Sequence, residues 1–240
     1  MKVFPAIDLY EGKVVRLFKG DYKQMTVYDE NPLRVAMGFR ECGAENLHVV
    51  DLEGARDGTT PNIDVIKRLA SESGLFLEVG GGIRSPETIA RYQQAGVGRT
   101  ILGTAAVQNM AFTEQAVQKF GSLIAVGVDI RDGFVATHGW TEESGIKYLD
   151  FCKRLEQAGV GVIICTDISR DGALSGTNTE LYRELKEKTK LKVIASGGVS
   201  SEEDITALCG MGLYGAILGK ALYTGALDLR RALEIAGGDS

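Results

Sequence analysis

The strongest constraint on the fold is an internal repeat. Asp8 and Asp129 occupy the same context in the two halves of the chain. Each closes a short apolar run and precedes a turn with a strand-like exit. One half reads Pro5-Ala6-Ile7-Asp8 and then Gly12-Lys13-Val14-Val15; the other reads Val126-Gly127-Val128-Asp129 and then Gly133-Phe134-Val135-Ala136. The aspartates are 121 residues apart, and the turn glycines Gly12 and Gly133 keep the same spacing. A second repeat, from Gly81 to Ala105 and again from Gly197 to Ala221, has an offset of 116 residues with ten identities in register and no gap. Self-similarity of this length marks a fold made by doubling one supersecondary unit. An acid at the carboxyl end of a strand, supplied once by each half, is the arrangement expected of an acid/base pair facing one pocket.

Short apolar runs alternate with helical patterns along the whole chain. Strands are expected near residues 3–9, 46–51, 75–79, 100–102, 123–129, 162–166, 192–195 and 216–218. Helices are expected near 33–41, 63–71, 86–94, 112–120, 148–158, 180–188, 202–209 and 229–234. Eight strand–helix pairs in strict alternation predict a parallel (β/α)₈ TIM barrel with a two-fold half-barrel repeat, the halves roughly 1–121 and 122–240. A doubly wound open sheet is the competitor, but a half-chain repeat would require a different strand order. With 240 residues, 44% of them hydrophobic, and no Pro/Ser-rich linker or charge block, one domain over 1–240 is expected.

Several functional classes fit poorly. A net charge of −5 argues against a nucleic-acid or membrane-surface binder, so an anionic ligand must be held by local donors. The start Met1-Lys2-Val3-Phe4-Pro5 lacks a secretory pattern, and no apolar run approaches the roughly 18 to 20 residues that span a bilayer; a cytoplasmic location is expected. Cys42, Cys152, Cys165 and Cys209 are scattered, and the two histidines are His48 and His138. That spacing gives no zinc site and no disulfide framework, so reduced thiols and no metal are expected.

The glycine clusters carry the binding chemistry. Gly80-Gly81-Gly82-Ile83-Arg84 follows the third barrel strand and Gly103-Thr104-Ala105 the fourth; their repeats, Ser196-Gly197-Gly198 and Gly219-Lys220-Ala221, follow the seventh and eighth. Such a turn lets the backbone approach a ligand, and the helix that starts just after it aims free N–H groups and a positive dipole end at an anion. The same device on both sides of the mouth predicts a small-molecule substrate with two phosphates. Tight turns without a ligand are the alternative reading.

At several positions along its whole length the chain resembles the phosphoribosylformimino-aminoimidazole carboxamide ribotide isomerases, the aldose–ketose isomerases of histidine biosynthesis. The match lies in Pro5-Ala6-Ile7-Asp8-Leu9 with Gly12-Lys13-Val14-Val15-Arg16-Leu17, His48-Val49-Val50-Asp51-Leu52, Gly80-Gly81-Gly82-Ile83-Arg84, Gly139-Trp140, Thr166-Asp167-Ile168-Ser169-Arg170-Asp171-Gly172 and Ala195-Ser196-Gly197-Gly198-Val199. The resemblance implies an Amadori rearrangement of an aminoaldose to an aminoketose by acid/base catalysis, with no cofactor, no metal and no redox change. It implies Asp8 as the base and Asp129 as the proton donor, with Asp171 a rival for that role. Thr166 could hydrogen-bond the opened sugar and Trp140 could stack on the imidazole ring; a strand-end threonine and a core tryptophan are the bland alternatives. Arg84 suits bidentate contact with a substrate anion, a surface salt bridge being its plain reading. Lys220 replaces Thr104 of the first repeat, so the two phosphate sites, with Gly81, Gly82 and Gly103 on one side and Gly172, Gly197, Gly198 and Gly219 on the other, are expected to differ in strength. His48 is expected in a structural role. The polar stretch from Phe18 to Asn31, with Gly20 and Asp21, suits a closing lid.

Three readings follow. The first is the isomerase acting alone as a monomer. The second is a relative on the same barrel: a dual-function isomerase also acting on phosphoribosylanthranilate, or an ammonia-using cyclase. The dual-function enzymes often place arginine where His138 stands, and the cyclase usually reads Cys-Leu-Asp where this chain reads Ala6-Ile7-Asp8. The third is a non-catalytic phosphate-ligand binding barrel, since a fold never fixes a function.

Overall fold

The computed structural model describes residues 1–18 and 21–237, the side chain of Phe18 excepted. In chain order the elements are β1 (Lys2–Tyr10), β2 (Lys13–Phe18), β3 (Asp21–Asp29), α1 (Pro32–Glu41), β4 (Asn46–Asp51), α2 (Leu52–Asp57), α3 (Ile63–Glu72), β5 (Phe76–Gly80), α4 (Pro86–Gln94), β6 (Arg99–Leu102), α5 (Thr104–Gln108) and α6 (Met110–Phe120). The second half continues with β7 (Ile124–Arg131), β8 (Phe134–Thr137), β9 (Glu142–Lys147), α7 (Tyr148–Gln157), β10 (Val162–Asp167), α8 (Thr179–Lys188), β11 (Lys192–Ser196), α9 (Glu202–Gly210), β12 (Gly215–Leu218), α10 (Lys220–Tyr223) and α11 (Leu229–Gly237). All eight expected strands and all eight expected helices are present, their ends within three residues of the positions read from the sequence.

The strands β1, β4, β5, β6, β7, β10, β11 and β12 pair in parallel in that order, and β12 returns to β1, closing an eight-stranded barrel. Strands covered on both faces read as continuous apolar runs rather than alternating ones, which is why β4 and β10 are buried almost throughout. Two apolar clusters result. One lies between the sheet and the surrounding helices; the other fills the barrel with Phe4, Ala6, Ile101, Ala125, Ile164 and Ile217 among its members. The packed interior leaves no pore, so a ligand can enter only at the strand ends.

The repeat is visible in the geometry. The β1–β2 hairpin pairs Leu9 with Val14 and Tyr10 with Lys13; the β7–β8 hairpin pairs Ile130 with Val135 and Arg131 with Phe134, the same register 121 residues on. Both turns place two successive residues at positive φ: Glu11 (49°) with Gly12 (73°), and Asp132 (51°) with Gly133 (84°). That is the turn whose twist matches flanking strands, and it explains the recurrence of glycine at its second position. The helices after the glycine clusters also begin alike. Ser85 Oγ accepts from Thr88 N to start α4, and Ser201 Oγ accepts from Asp204 N to start α9. Both serines are side-chain N-caps.

Within the polar stretch expected to close over the site, Asp21–Asp29 forms β3, antiparallel to β2, with register shifts at Val14/Val15 and Leu17/Phe18. Its side chains lack the buried/exposed alternation that betrays a strand, because β3 hangs on the β2 backbone and does not cover the core. Gly20, part of the expected lid, lies outside the described residues. Elements β8 and β9 form the corresponding arm of the second half.

Candidate active site

A cavity of about 770 Å³ opens at the carboxyl ends of the barrel strands. Every candidate residue taken from the sequence lines it: Asp8, Asp129, Thr166 and Asp171, the glycines of both clusters, and Arg84, Thr104, Trp140, Gly172 and Lys220. The volume is in the range of small-molecule sites.

The acids come from three elements and have three environments. Asp8, on β1, is paired with Arg16 of β2, Nη1 to Oδ2 at 3.0 Å, and both side chains are largely buried. Burial works against the charge of Arg16, but Asp8 and Asp171 outweigh it, so the pKa of Arg16 is raised. Asp129, on β7, stands in register with Thr166 of β10. Burial pushes its pKa up; side-chain hydrogen bonds from Trp140 and Thr166, and the charge of His48, act in the opposite direction. Asp171 follows β10 and is also raised, first by burial and then by the charges of Asp8 and Asp129, against Arg16 and Lys220. Asp171 thus carries like-charge repulsion from both other acids, whereas Asp129 is placed as an acceptor.

The two glycine clusters have the same backbone. Gly103 (φ −104°, ψ −115°) and Gly219 (φ −107°, ψ −110°) precede the short helices α5 and α10. Gly82 and Gly198 have φ of 66° and 82°. A Cβ on Gly82 would stand 1.8 Å from Gly54 O, and one on Gly198 2.4 Å from Gly176 O, so neither position admits a side chain. Beneath each cluster an aspartate at the strand end ties down the next loop. Asp51 accepts from Gly54 N at 3.0 Å and Asn62 Nδ2 at 2.8 Å; Asp167 accepts from Ser169 N at 2.9 Å and Asn178 Nδ2 at 2.6 Å. Both the aspartates and the asparagines recur at the 116-residue offset. Each glycine cluster is thus backed by a loop tied down by side-chain hydrogen bonds. Phosphate or sulfate soaked into crystals is expected at two places on this one face, between Gly82 and Gly103 and between Gly198 and Lys220. Anions found only elsewhere, or at opposite barrel ends, would overturn that expectation.

The halves differ in detail. Thr104 Oγ1 accepts from His138 N at 2.9 Å, while Lys220 Nζ donates to Gly172 O at 2.8 Å, holding the loop that carries Asp171. Arg84 Nη2 donates to Ala55 O at 3.2 Å, steadying α2 at the rim. Trp140 is half-buried with φ of 72° and lines the cavity, so it is not part of the core.

Three residues that sequence reasoning left without a site role also belong here. Arg16 has no counterpart in the second half, where Thr137 stands at the repeat position, so the repeat could not reveal it. A cation opposite Asp8 across the hairpin was the available signal. Tyr22 of β3 lines the cavity, donates to Leu52 O at 2.8 Å and packs edge-on against Tyr10. His48 lines the cavity floor and contacts Glu78 Oε1 through Nδ1 at 2.8 Å; Glu78 Oε2 in turn accepts from Arg99 Nη1 at 2.8 Å. All four cysteines are free. Among the described residues no three His, Cys, Asp or Glu side chains form a metal-binding group, and no helix is long and apolar enough to cross a membrane.

Fold and cavity together define a class: a (β/α)₈ barrel whose mouth sets three carboxyl groups between two glycine-rich loops of matched backbone. The chain belongs to the histidine biosynthesis protein family, whose profile matches residues 2–228. It is 49% identical over 236 residues to the 1-(5-phosphoribosyl)-5-((5-phosphoribosylamino)methylideneamino) imidazole-4-carboxamide isomerase of Brachyspira hyodysenteriae, covering 98% of this chain and 99% of that protein. Proteins of the same name from Listeria monocytogenes (48% over 235 residues, 98% of each chain) and Lactococcus lactis (48% over 233 residues, 96% of this chain and 95% of that one) are similarly close.

Proposed function

We propose that this protein is the aldose–ketose isomerase of histidine biosynthesis, acting on the bis-phosphorylated aminoaldose named in its relatives. The observation that carries the reading is the convergence of Asp8, Asp129 and Asp171 on one mouth flanked by two cradles of equal backbone geometry. A substrate with a phosphate at each end is held across the mouth, which puts its sugar over the acids. A protonated carboxyl group donates to the ribose ring oxygen as the C1–O bond breaks, leaving a protonated imine at C1. Asp8 then removes the C2 proton, and the resulting enaminol loses its hydroxyl proton and gains one at C1 to give the aminoketose. Such a pair works only if its members are unequal. Asp8, held against Arg16, takes the role of base. For the donor, burial raises both Asp171 and Asp129. Asp171 is further raised by Asp8 and Asp129 against the opposing charges of Arg16 and Lys220, whereas on Asp129 the hydrogen bonds from Trp140 and Thr166 and the charge of His48 act only to lower, and we take Asp171 as the donor on that difference. Trp140, at the rim, is free to face the imidazole carboxamide end of the substrate. The reaction needs no redox partner, and the enzyme works without metal.

The purified chain, treated with a chelator and given no ammonia or partner subunit, is expected to convert the aminoaldose to its ketose isomer in a spectrophotometric turnover assay. A requirement for divalent metal or for ammonia would reject the reading. Turnover of phosphoribosylanthranilate in the same assay would favour the dual-function alternative.

A further inference from the structure

The opposite face of the barrel holds a second, chemically different cavity. At the amino ends of β1, β11 and β12 a groove of about 560 Å³ is lined by Lys2, Lys186, Lys190, Lys192 and Tyr214, and no carboxylate lines it. The four lysines are exposed, and none of them takes part in an ion pair within 4.0 Å among the described residues. Four lysines lining one groove, in a chain of net charge −5, gather like charges that repel one another unless an anion joins them. Two of them sit at an aromatic ring. Lys2 and Lys192 each lie 5.5 Å from the Tyr214 centroid, and Arg99 lies 5.7 Å from it while donating from Nη2 to the Tyr214 hydroxyl at 3.3 Å. Lys186 Nζ is steadied by Gly212 O at 3.0 Å. Cations therefore surround the aromatic ring that lines the groove.

We propose that this groove is a binding site for a small polyphosphate anion, recognised through its phosphate chain and blind to any base attached to it. Inorganic tripolyphosphate and the triphosphate end of a nucleotide match the charge of the groove. The site faces away from the acids and lies outside the cavity proposed for the isomerisation, so it does not depend on that reading. Tyr214 responds to the same field: burial acts to raise its pKa, but its hydrogen bond and Coulombic contact with Arg99, together with Lys2, carry it below the ordinary tyrosine value.

Calorimetric titration of the full chain with tripolyphosphate, ATP, GTP and adenosine tests this, with Lys190→Glu/Lys192→Glu as the variant. The three polyphosphates are expected to bind with similar affinity and adenosine not at all. The double variant, remote from the catalytic mouth, is expected to weaken the polyphosphates by about tenfold or more, because a single charge-assisted hydrogen bond is worth that much, and to leave substrate turnover unaltered. A crystal of the wild type soaked in tripolyphosphate should show the anion against Lys190 and Lys192. Binding as tight in the double variant as in the wild type would place the anion on the catalytic cradles and overturn the proposal. So would adenosine binding as tightly as ATP, or no binding up to about 1 mM. If the wild type lacks isomerase activity but binds polyphosphate in this pattern, the functional reading fails and this one stands.

Discussion

Replacing Asp8 by asparagine is expected to leave a folded protein whose turnover falls by roughly 10² to 10⁴-fold, the contribution of one positioned acid/base group. Asparagine keeps the size of the side chain and can still accept a hydrogen bond from Arg16, so the β1–β2 hairpin persists; what it cannot do is take the C2 proton. Circular dichroism and thermal melting should match the wild type while single-turnover kinetics collapse. The proton donor is separated by a parallel pair. Asp171→Asn should cost a similar factor on a substrate whose ring must open, and Asp129→Asn should cost less, since an amide carbonyl still accepts from Trp140 and Thr166. The pH profile gives an independent sign. A donor must be protonated, so activity is present below its folded-state pKa and lost as pH rises through it. Because that pKa is raised, the loss comes at higher pH than an ordinary aspartate would give. Asp171→Asn should remove that limb. If Asp129→Asn instead abolishes turnover and Asp171→Asn is mild, the donor is the repeat partner of Asp8.

The second large effect is on stability. Glu78 is fully buried and joins His48 on one oxygen to Arg99, itself 6% exposed, on the other. Glu78→Leu leaves the Arg99 guanidinium uncompensated inside the barrel, at a cost of about 3 to 5 kcal/mol. For a chain of this length each kcal/mol lowers the melting temperature by about 2 to 4 °C, so a fall of roughly 6 to 20 °C is expected in a thermal unfolding experiment. Removing both charges in Glu78→Leu/Arg99→Met should recover most of it, because the burial cost of the pair goes with the pair. A single variant as stable as the wild type would show that Arg99 reaches solvent without Glu78. A double variant no better than the single would assign the loss to packing around Phe76 and Tyr214, which flank Arg99.

The sequence by itself determined the architecture and half of the site. Apolar periodicity and glycine turns are local properties, each written in a few consecutive residues, so eight strands and eight helices could be read with small errors at their ends. The two repeats added what local signals lack. They related Asp8 to Asp129 and one glycine cradle to the other before any contact was known, and all those residues line one cavity. Where the halves diverge, the repeats say nothing. Arg16 against Asp8, Tyr22 on the Leu52 carbonyl and Lys220 across to Gly172 are contacts between segments that only barrel closure and hairpin register bring together. Strand β3 escaped for a related reason: its pairing partner is the β2 backbone, and backbone hydrogen bonding leaves little trace in side-chain pattern. The choice between Asp129 and Asp171 as proton donor also lay beyond the sequence. It turns on which carboxyl group faces other charges and which faces donors, and that is decided by the closed fold.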